Sequence, residues 1–273
     1  MTELQSRLVD MMVWYHDFCE KNNLRYYIIA GTMLGAVRHG GFIPWDDDID
    51  VGMPRSDYER LRKLVSTQEK GKYVFEYPSG SKSYPFLWAK LFDTTTTMIE
   101  KQRDKVKRGI YIDIFPIDGI GNTREEAIKN FQPIKKKLAL NSMVSCAILK
   151  RRKWNKNFAI VLGRIISPIF VDRCKLKVNL DQLCQKHNFE DCEFVCNLMG
   201  GSNERGIVKK EYFGNPTKIK FEQITVYGLE NPDMYLKSLY GNYKELPPVE
   251  KRVSLHDTEC LNLNKGYMEK FFS

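Results

Sequence analysis

Between Gly31 and Pro54 the chain reads GTMLGAVRHGGFIPWDDDIDVGMP, and the end of this stretch carries Asp46, Asp47, Asp48 and Asp50. On a strand, side chains alternate between faces, so Asp46, Asp48 and Asp50 are expected to point one way and Asp47 the other. Like charges that close are costly unless a cation lies between them. An all-carboxylate set suits a hard divalent ion, most simply Mg2+, with Mn2+ as the alternative. Upstream, Gly31-Thr32 turns the chain into a short helix, whose N-terminus can present backbone N–H groups to phosphate oxygens. Metal-dependent transfer to or from a nucleotide phosphate needs this combination. Asp113, in Tyr-Ile-Asp-Ile-Phe, has apolar neighbours on both sides and is expected as a third acid, either a further ligand or a general base, with a hydrogen-bonded structural aspartate as the plainer alternative. Arg38 and His39, just past the turn, could grip phosphate, although a structural role suits His39 equally. Lys90 lies inside the apolar stretch 87–92 and reads as a phosphate or carboxylate partner, or else as a snorkelling surface lysine.

Two other metal readings fit less well. A calcium loop starting at Asp46 would place Val51 where glycine is required and Asp57 where glutamate is required, with Pro44 and Pro54 crowding the flanks. Cys184-x-x-His187 with Cys192-x-x-x-Cys196 has zinc-ligand chemistry. Its spacing is irregular, however, and Leu176, Leu180, Leu183 and Cys184 form a helical core stripe, so no zinc is assigned.

The elements that position these residues follow from the apolar spacing. Leu4, Leu8, Met11, Met12, Tyr15 and Phe18 predict an amphipathic helix over 2–21. Residues 24–30 are rich in β-formers and predict a buried strand. A helix over 33–38 follows, stopped by Gly40-Gly41, and then the acidic strand, ended by Met53-Pro54. A helix over 55–67 and strands over 73–77, 87–92 and 110–115 complete a mixed unit around a small sheet, residues 1–123. Residues 124–190 read as a basic helical insertion or subdomain, with Lys135-Lys136-Lys137 and Lys150-Arg151-Arg152-Lys153. Its apolar run over 158–171, broken by Arg164 and Pro168, is too short to span a bilayer but could lie in a membrane interface. A helix packed on the core with a solvated basic face is the simpler expectation. Residues 191–273 return to mixed character and would complete the catalytic domain.

The chain has 273 residues, 42% hydrophobic and 28% charged, which is ordinary for a soluble globular protein and speaks against disorder. A net charge of +9 suggests an anionic partner: nucleic acid, a phosphorylated substrate or an anionic membrane surface. Seven cysteines without a tight framework fit a reducing compartment. The opening MTELQSRLVDMMVWYHDF is charged and amphipathic rather than a signal peptide, and no stretch is apolar enough for a spanning helix. The expected compartment is the cytoplasm.

The stretch from Gly31 to Met53 closely resembles the signature of the LicD family of phosphocholine transferases, which includes the fukutin-type ribitol-phosphate transferases. The resemblance extends through Lys90-Leu91, Tyr111-Ile-Asp-Ile-Phe-Pro-Ile-Asp118 and Leu239-Tyr-Gly-Asn-Tyr-Lys-Glu-Leu-Pro-Pro248, with His256 just beyond. It implies an α+β, nucleotidyltransferase-like fold, a mixed sheet with flanking helices. It further implies Mg2+ held by Asp48 and Asp50, with Asp113 as the third acid and Asp46 as a ligand or outer acid. The implied reaction is phosphocholine transfer from CDP-choline to a sugar hydroxyl of a teichoic acid, lipopolysaccharide or capsule precursor, releasing CMP. Gly31, Thr32, Arg38, His39, Trp45, Lys90 and His256 are the implied substrate contacts. A quaternary ammonium binds ring faces, and Trp45, Tyr84, Trp88 and Tyr111 lie near the motifs. A lipid-linked acceptor would place the protein on the cytoplasmic face of a membrane. Ribitol phosphate transfer, nucleotidyl transfer from a nucleoside triphosphate and a non-catalytic scaffold are the alternatives. The basic middle lacks interleaved aromatics at single-strand spacing, so no nucleic acid is expected.

Overall fold

The computed structural model describes residues 1–66, 71–78, 84–101, 103–145, 154–254 and 258–268. The first helix, α1 (Glu3–Lys21), forms where the apolar spacing places it. Thr2 Oγ1 accepts from the Gln5 amide at 3.1 Å and Gln5 Oε1 accepts from the Thr2 amide at 2.8 Å. This capping box satisfies donors that helix geometry leaves without partners. Leu8, Met11, Met12 and Tyr15 on α1 are buried.

The strand expected over 24–30 is reduced to β1 (Tyr27–Ile28), because the chain already enters α2 (Ala30–His39) at Ala30. Ala30 has a φ of 47°, in the left-handed region that non-glycine residues rarely adopt. Gly40 ends α2 with a φ of 72°, the stop read from the sequence. Next to it, a Cβ on Gly41 would lie 2.1 Å from Glu222 Oε1, which accepts the Phe42 amide at 2.9 Å. Glycine is thus favoured at 40 by conformation, and at 41 because a side chain there would displace Glu222 from the Phe42 amide.

The elements that follow are β2 (Asp50–Pro54), α3 (Arg55–Val65), β3 (Tyr73–Glu76) and β4 (Ala89–Asp93). Then come β5 (Thr97–Glu100), β6 (Lys107–Arg108) and the long β7 (Tyr111–Gly121). Three helices interrupt the sheet: α4 (Arg124–Ser145), α5 (Trp154–Phe170) and α6 (Arg173–Cys184). The chain returns through β8 (Phe194–Cys196), β9 (Val208–Lys209), β10 (Thr217–Phe221), β11 (Ile224–Gly228), α7 (Pro232–Tyr240) and β12 (Thr258–Asn262).

The result is an α+β fold. Its main sheet has the order β1-β2-β7-β4-β3, with β8 pairing to β7 and β9 to β8. β7 runs parallel to β2 and antiparallel to β4 and β8. All 11 of its residues are buried, so both of its faces are covered and Asp113 and Asp118 are carried inside the fold. The main core lies around this sheet and takes side chains from α1, α2, α3 and α7. A second apolar cluster joins Ile120 at the end of β7 to Phe131 and Ile134 of α4 and Leu180 and Cys184 of α6.

Arg55 locks the two parts together. Its guanidinium donates to both oxygens of buried Asp118, at 2.7 and 2.8 Å, and to Asp181 of α6 at 3.0 Å. The apolar run of the basic segment departs from the simpler expectation. Ile160 of α5 is buried, but Trp154, Phe158, Val161 and Leu162 are exposed. α5 packs on α4 along one edge, where a Cβ on Gly163 would come within 3.3 Å of Met143 Cβ. These four side chains lie off that edge.

Candidate active site

Strand register assembles the centre. In the parallel pair β2–β7, Asp50 stands opposite Asp113; in the antiparallel pair β4–β7, Lys90 stands opposite the same residue. Residues directly opposed on neighbouring strands share a face, so three strands place a carboxylate, a carboxylate and an ammonium in one row. Asp48 joins from the loop before β2. One carboxylate oxygen from each of Asp48, Asp50 and Asp113 lies within 4.8 Å of the others.

The acidic stretch is not a strand from Asp46, as its alternation suggested. A turn at Pro44-Trp45 lets the Asp46 amide donate to Ile43 O at 2.8 Å, and Gln5 Nε2 holds Asp46 O at 2.9 Å. Regular structure begins only at Asp50. Residues 46–49 are therefore a loop, and Asp46, Asp47 and Asp48 gather as a second carboxylate group that shares Asp48 with the first. An extended strand would have sent Asp47 to the far side. Ser254 Oγ also donates to Asp47 Oδ2 at 2.6 Å. The donor set is entirely hard oxygen, and it fits Mg2+ or Mn2+.

The N-terminus of α2 faces this group. Thr32 Oγ1 accepts from the Asp50 amide at 2.8 Å, and the Ile29 amide donates to Asp50 O at 3.0 Å. The hydroxyl of Thr32 thus fixes the backbone that carries Asp50. Gly31 leaves room for Asp46, since a Cβ there would stand 3.0 Å from Asp46 Oδ2. The Ala30 amide donates to Tyr235 Oη at 3.3 Å and the Met33 amide to Ile29 O at 3.0 Å. Helix geometry provides no partner within α2 for the amides of Gly31 and Thr32.

Asp113 is 5% exposed and Lys90 is 2% exposed. Lys90 Nζ lies 2.6 Å from Asp113 Oδ1, and Trp88 Nε1 donates to the same oxygen at 2.7 Å. Burial pushes the Asp113 carboxyl up from its ordinary range; Lys90 and Trp88 pull it back, and Asp48 adds to the rise. Lys90 is therefore not a snorkelling surface lysine. Its ammonium lies 3.2 Å from the Tyr111 ring centroid, 4.4 Å from that of Phe86 and 5.9 Å from that of Trp88. Two of the aromatics considered for choline, Trp88 and Tyr111, thus enclose the protein's own cation. A third, Tyr84, is buried and donates to Trp88 O at 2.7 Å.

Arg38 and His39 sit at the other end of α2. Arg38 donates to His39 Nε2 at 3.0 Å and to Tyr243 O at 2.9 Å. Burial and the neighbouring Arg38 hold His39 below its ordinary pKa. Trp45 carries the Arg252 guanidinium 5.8 Å from its ring centroid. His256 lies outside the described residues. Cys184, His187, Cys192 and Cys196 do not come together as a ligand group among the described residues, and burial pushes the thiols of Cys184 and Cys196 up.

The structure also adds residues that sequence reasoning did not single out. Tyr240 is close enough to feel Asp50, Asp46 and Asp48, whose charges, after desolvation, push its phenol up. A cavity of about 80 Å3 beside Asp50 is lined by Asn197, Ser202 and Tyr235, and Asn197 Oδ1 is buried there without a hydrogen-bond partner. Tyr240 lies inside the 239–248 motif, which was the available signal; nothing in the sequence marked Asn197.

Residues 23–140 match the family model described as LicD/FKTN/FKRP, nucleotidyltransferase domain. The chain is 28% identical to the lipopolysaccharide cholinephosphotransferase LicD of Haemophilus influenzae over 266 residues, 95% of this chain and 97% of that protein. It is 29% identical to human ribitol 5-phosphate transferase FKRP over 97 residues, 36% of this chain and 17% of that protein. A match to yeast mannosyltransferase regulator 4 reaches 25% identity over 120 residues, 41% of this chain and 10% of that protein.

Proposed function

We propose that this chain, whose residues 23–140 belong to the LicD/FKTN/FKRP nucleotidyltransferase domain family, transfers phosphocholine from CDP-choline to a sugar hydroxyl of a cell-surface glycan precursor. The observation that carries this reading is the row Lys90–Asp113–Asp50 across three strands, with Asp48 beside it and the α2 amides in front. Asp48, Asp50 and Asp113 would hold Mg2+, which when bound neutralises the donor's diphosphate and the departing CMP. The amides of Gly31 and Thr32 bind phosphate oxygens. Asp113 is pinned through Oδ1 by Lys90 and Trp88, a setting that suits a fixed ligand better than a group trading protons. The acceptor hydroxyl oxygen forms the new P–O bond as the P–O bond to CMP breaks. Its proton passes to Asp46 or Asp47, the loop carboxylates grouped with Asp48. A lipid-linked lipopolysaccharide, teichoic acid or capsule precursor presented at the cytoplasmic face of a membrane is the acceptor that fits this role.

Ribitol phosphate is the second reading, supported by the match to ribitol 5-phosphate transferase. The near full-length match to a cholinephosphotransferase favours choline. The test incubates the protein with Mg2+ and crude glycolipid in parallel with CDP-choline, CDP-ribitol and CTP, and quantifies CMP and pyrophosphate. CMP from CDP-choline, lost in the Asp48→Asn/Asp50→Asn variant, is expected. CMP from CDP-ribitol alone would move the reading to ribitol phosphate, and pyrophosphate from CTP would replace it with nucleotidyl transfer.

A further inference from the structure

Residues 127–171 contain ten lysines and arginines and no aspartate or glutamate. The whole chain carries a net charge of +9, so the excess resides in this segment and the remainder is close to neutral. The same segment holds a group of apolar side chains that the core does not take up. On α5, Trp154 is 80% exposed, Phe158 60%, Leu162 45% and Val161 38%. Their spacing of four, seven and eight residues from Trp154 puts all four on one helical face. Soluble proteins seldom leave a contiguous apolar stripe of this kind uncovered without a use for it.

We propose that the Trp154–Phe158–Val161–Leu162 face of α5 docks the protein on an anionic lipid surface. Charge decides between possible occupants. A second copy of this chain would bring ten further cations against these ten, whereas anionic headgroups neutralise them. Lys150-Arg151-Arg152-Lys153 directly precedes Trp154 in sequence, and Lys156 is exposed within the helix. A basic run next to an aromatic and aliphatic stripe in sequence suits an interfacial helix, which puts rings and aliphatics in the acyl boundary and charges among the headgroups. No described helix is long and apolar enough to cross the membrane, so α5 would lie along the surface. The purpose of this docking, access to a lipid-linked acceptor, rests on the transferase reading; the docking itself does not.

The experiment is vesicle flotation of the full chain, with phosphatidylcholine vesicles compared with vesicles that also contain phosphatidylglycerol. About tenfold more protein is expected on the anionic vesicles, falling as salt is raised. The Trp154→Glu/Phe158→Glu variant should lose this retention while keeping the wild-type circular dichroism. The Asp48→Asn/Asp50→Asn variant should float like the wild type, so failure of the transferase reading is separable from failure of this one. Anionic vesicles should also shift wild-type tryptophan emission to the blue, and the shift should be much reduced in Trp154→Phe. Equal flotation of the Trp154→Glu/Phe158→Glu variant would overturn the proposal, as would flotation indifferent to lipid charge. So would a dimer in light scattering that this variant breaks, or retention on heparin without vesicle binding.

Discussion

Replacing Lys90 by methionine tests the charge balance of the centre directly. Methionine fills similar volume among Phe86, Trp88 and Tyr111 but removes the ammonium 2.6 Å from Asp113 Oδ1. Asp113 would keep the Trp88 N–H, yet three carboxylates, Asp48, Asp50 and Asp113, would then face one another without the buried cation. Breaking one side of a buried ion pair costs about 3–5 kcal/mol. With an unfolding entropy of about 2.1 cal/mol/K per residue, this chain of 273 residues should lose about 5–9 °C in Tm when divalent ions are chelated. A divalent ion then takes over part of the neutralisation, so Mg2+ or Mn2+ should raise the Tm of Lys90→Met more than that of the wild type. Each tenfold gain in ion affinity is worth about 1.4 kcal/mol, or about 2 °C here. The assay is scanning calorimetry with chelator and then with saturating ion, with Lys90→Gln as the companion should methionine prevent folding. Equal ion-induced shifts in wild type and variant, or a variant unchanged in chelator, would refute the idea that Lys90 and the ion share the neutralisation of one carboxylate group.

Removing Arg55 as methionine should leave Asp118 buried without its cation, at a cost of about 3–5 kcal/mol read from denaturant unfolding once the pH is high enough to ionise it. Burial already pushes Asp118 up to about 6 with Arg55 in place. A folded-state pKa raised above the unfolded one contributes stability that is fully present below the unfolded value and is lost as pH rises through about 6. Without Arg55 the window moves higher, so the deficit should be largest near pH 8 and shrink toward pH 5. A pH-independent deficit would mean that the fork with Asp118 is not its cause. Thr32→Val should cost about 1–2 kcal/mol, because the Asp50 amide loses its acceptor, while Thr32→Ser should restore both the unfolding midpoint and turnover. Gly31→Ala should leave the unfolding midpoint within about 1 kcal/mol but lower turnover, since Asp46 must move to admit the methyl group.

Local pattern was enough for α1, for the Gly40 stop and for the presence of acids at the centre. Asp113 was legible because a carboxylate among apolar neighbours needs a reason to be there. What pattern could not supply was register. Lys90 meets Asp113 only because β4 and β7 pair at those positions, and neither residue's immediate neighbours encode that pairing. The period-two reading failed at Asp46 because a side-chain contact from Gln5, distant in sequence, and the turn at Pro44 hold the loop off the sheet. The α5 face was left between two readings for a different reason. Periodicity locates an apolar stripe but does not say whether the fold has a surface to cover it.

β7 has a consequence for how such a protein could diversify. Its first half fixes Asp113 against Asp50 and Lys90, and its second half, from Asp118, pairs with β8 after three helices have intervened. The strand is a keel: the reacting centre is set on one side of a rigid span, and the helical excursion is launched from the other. A change in the excursion has no ladder hydrogen bond through which to shift the Asp50–Asp113 register. The segment could therefore be exchanged or lengthened to suit a different membrane or a bulkier acceptor, leaving the chemistry in place. Adaptation to a new surface and conservation of a reaction would then be carried by separate stretches of one polypeptide.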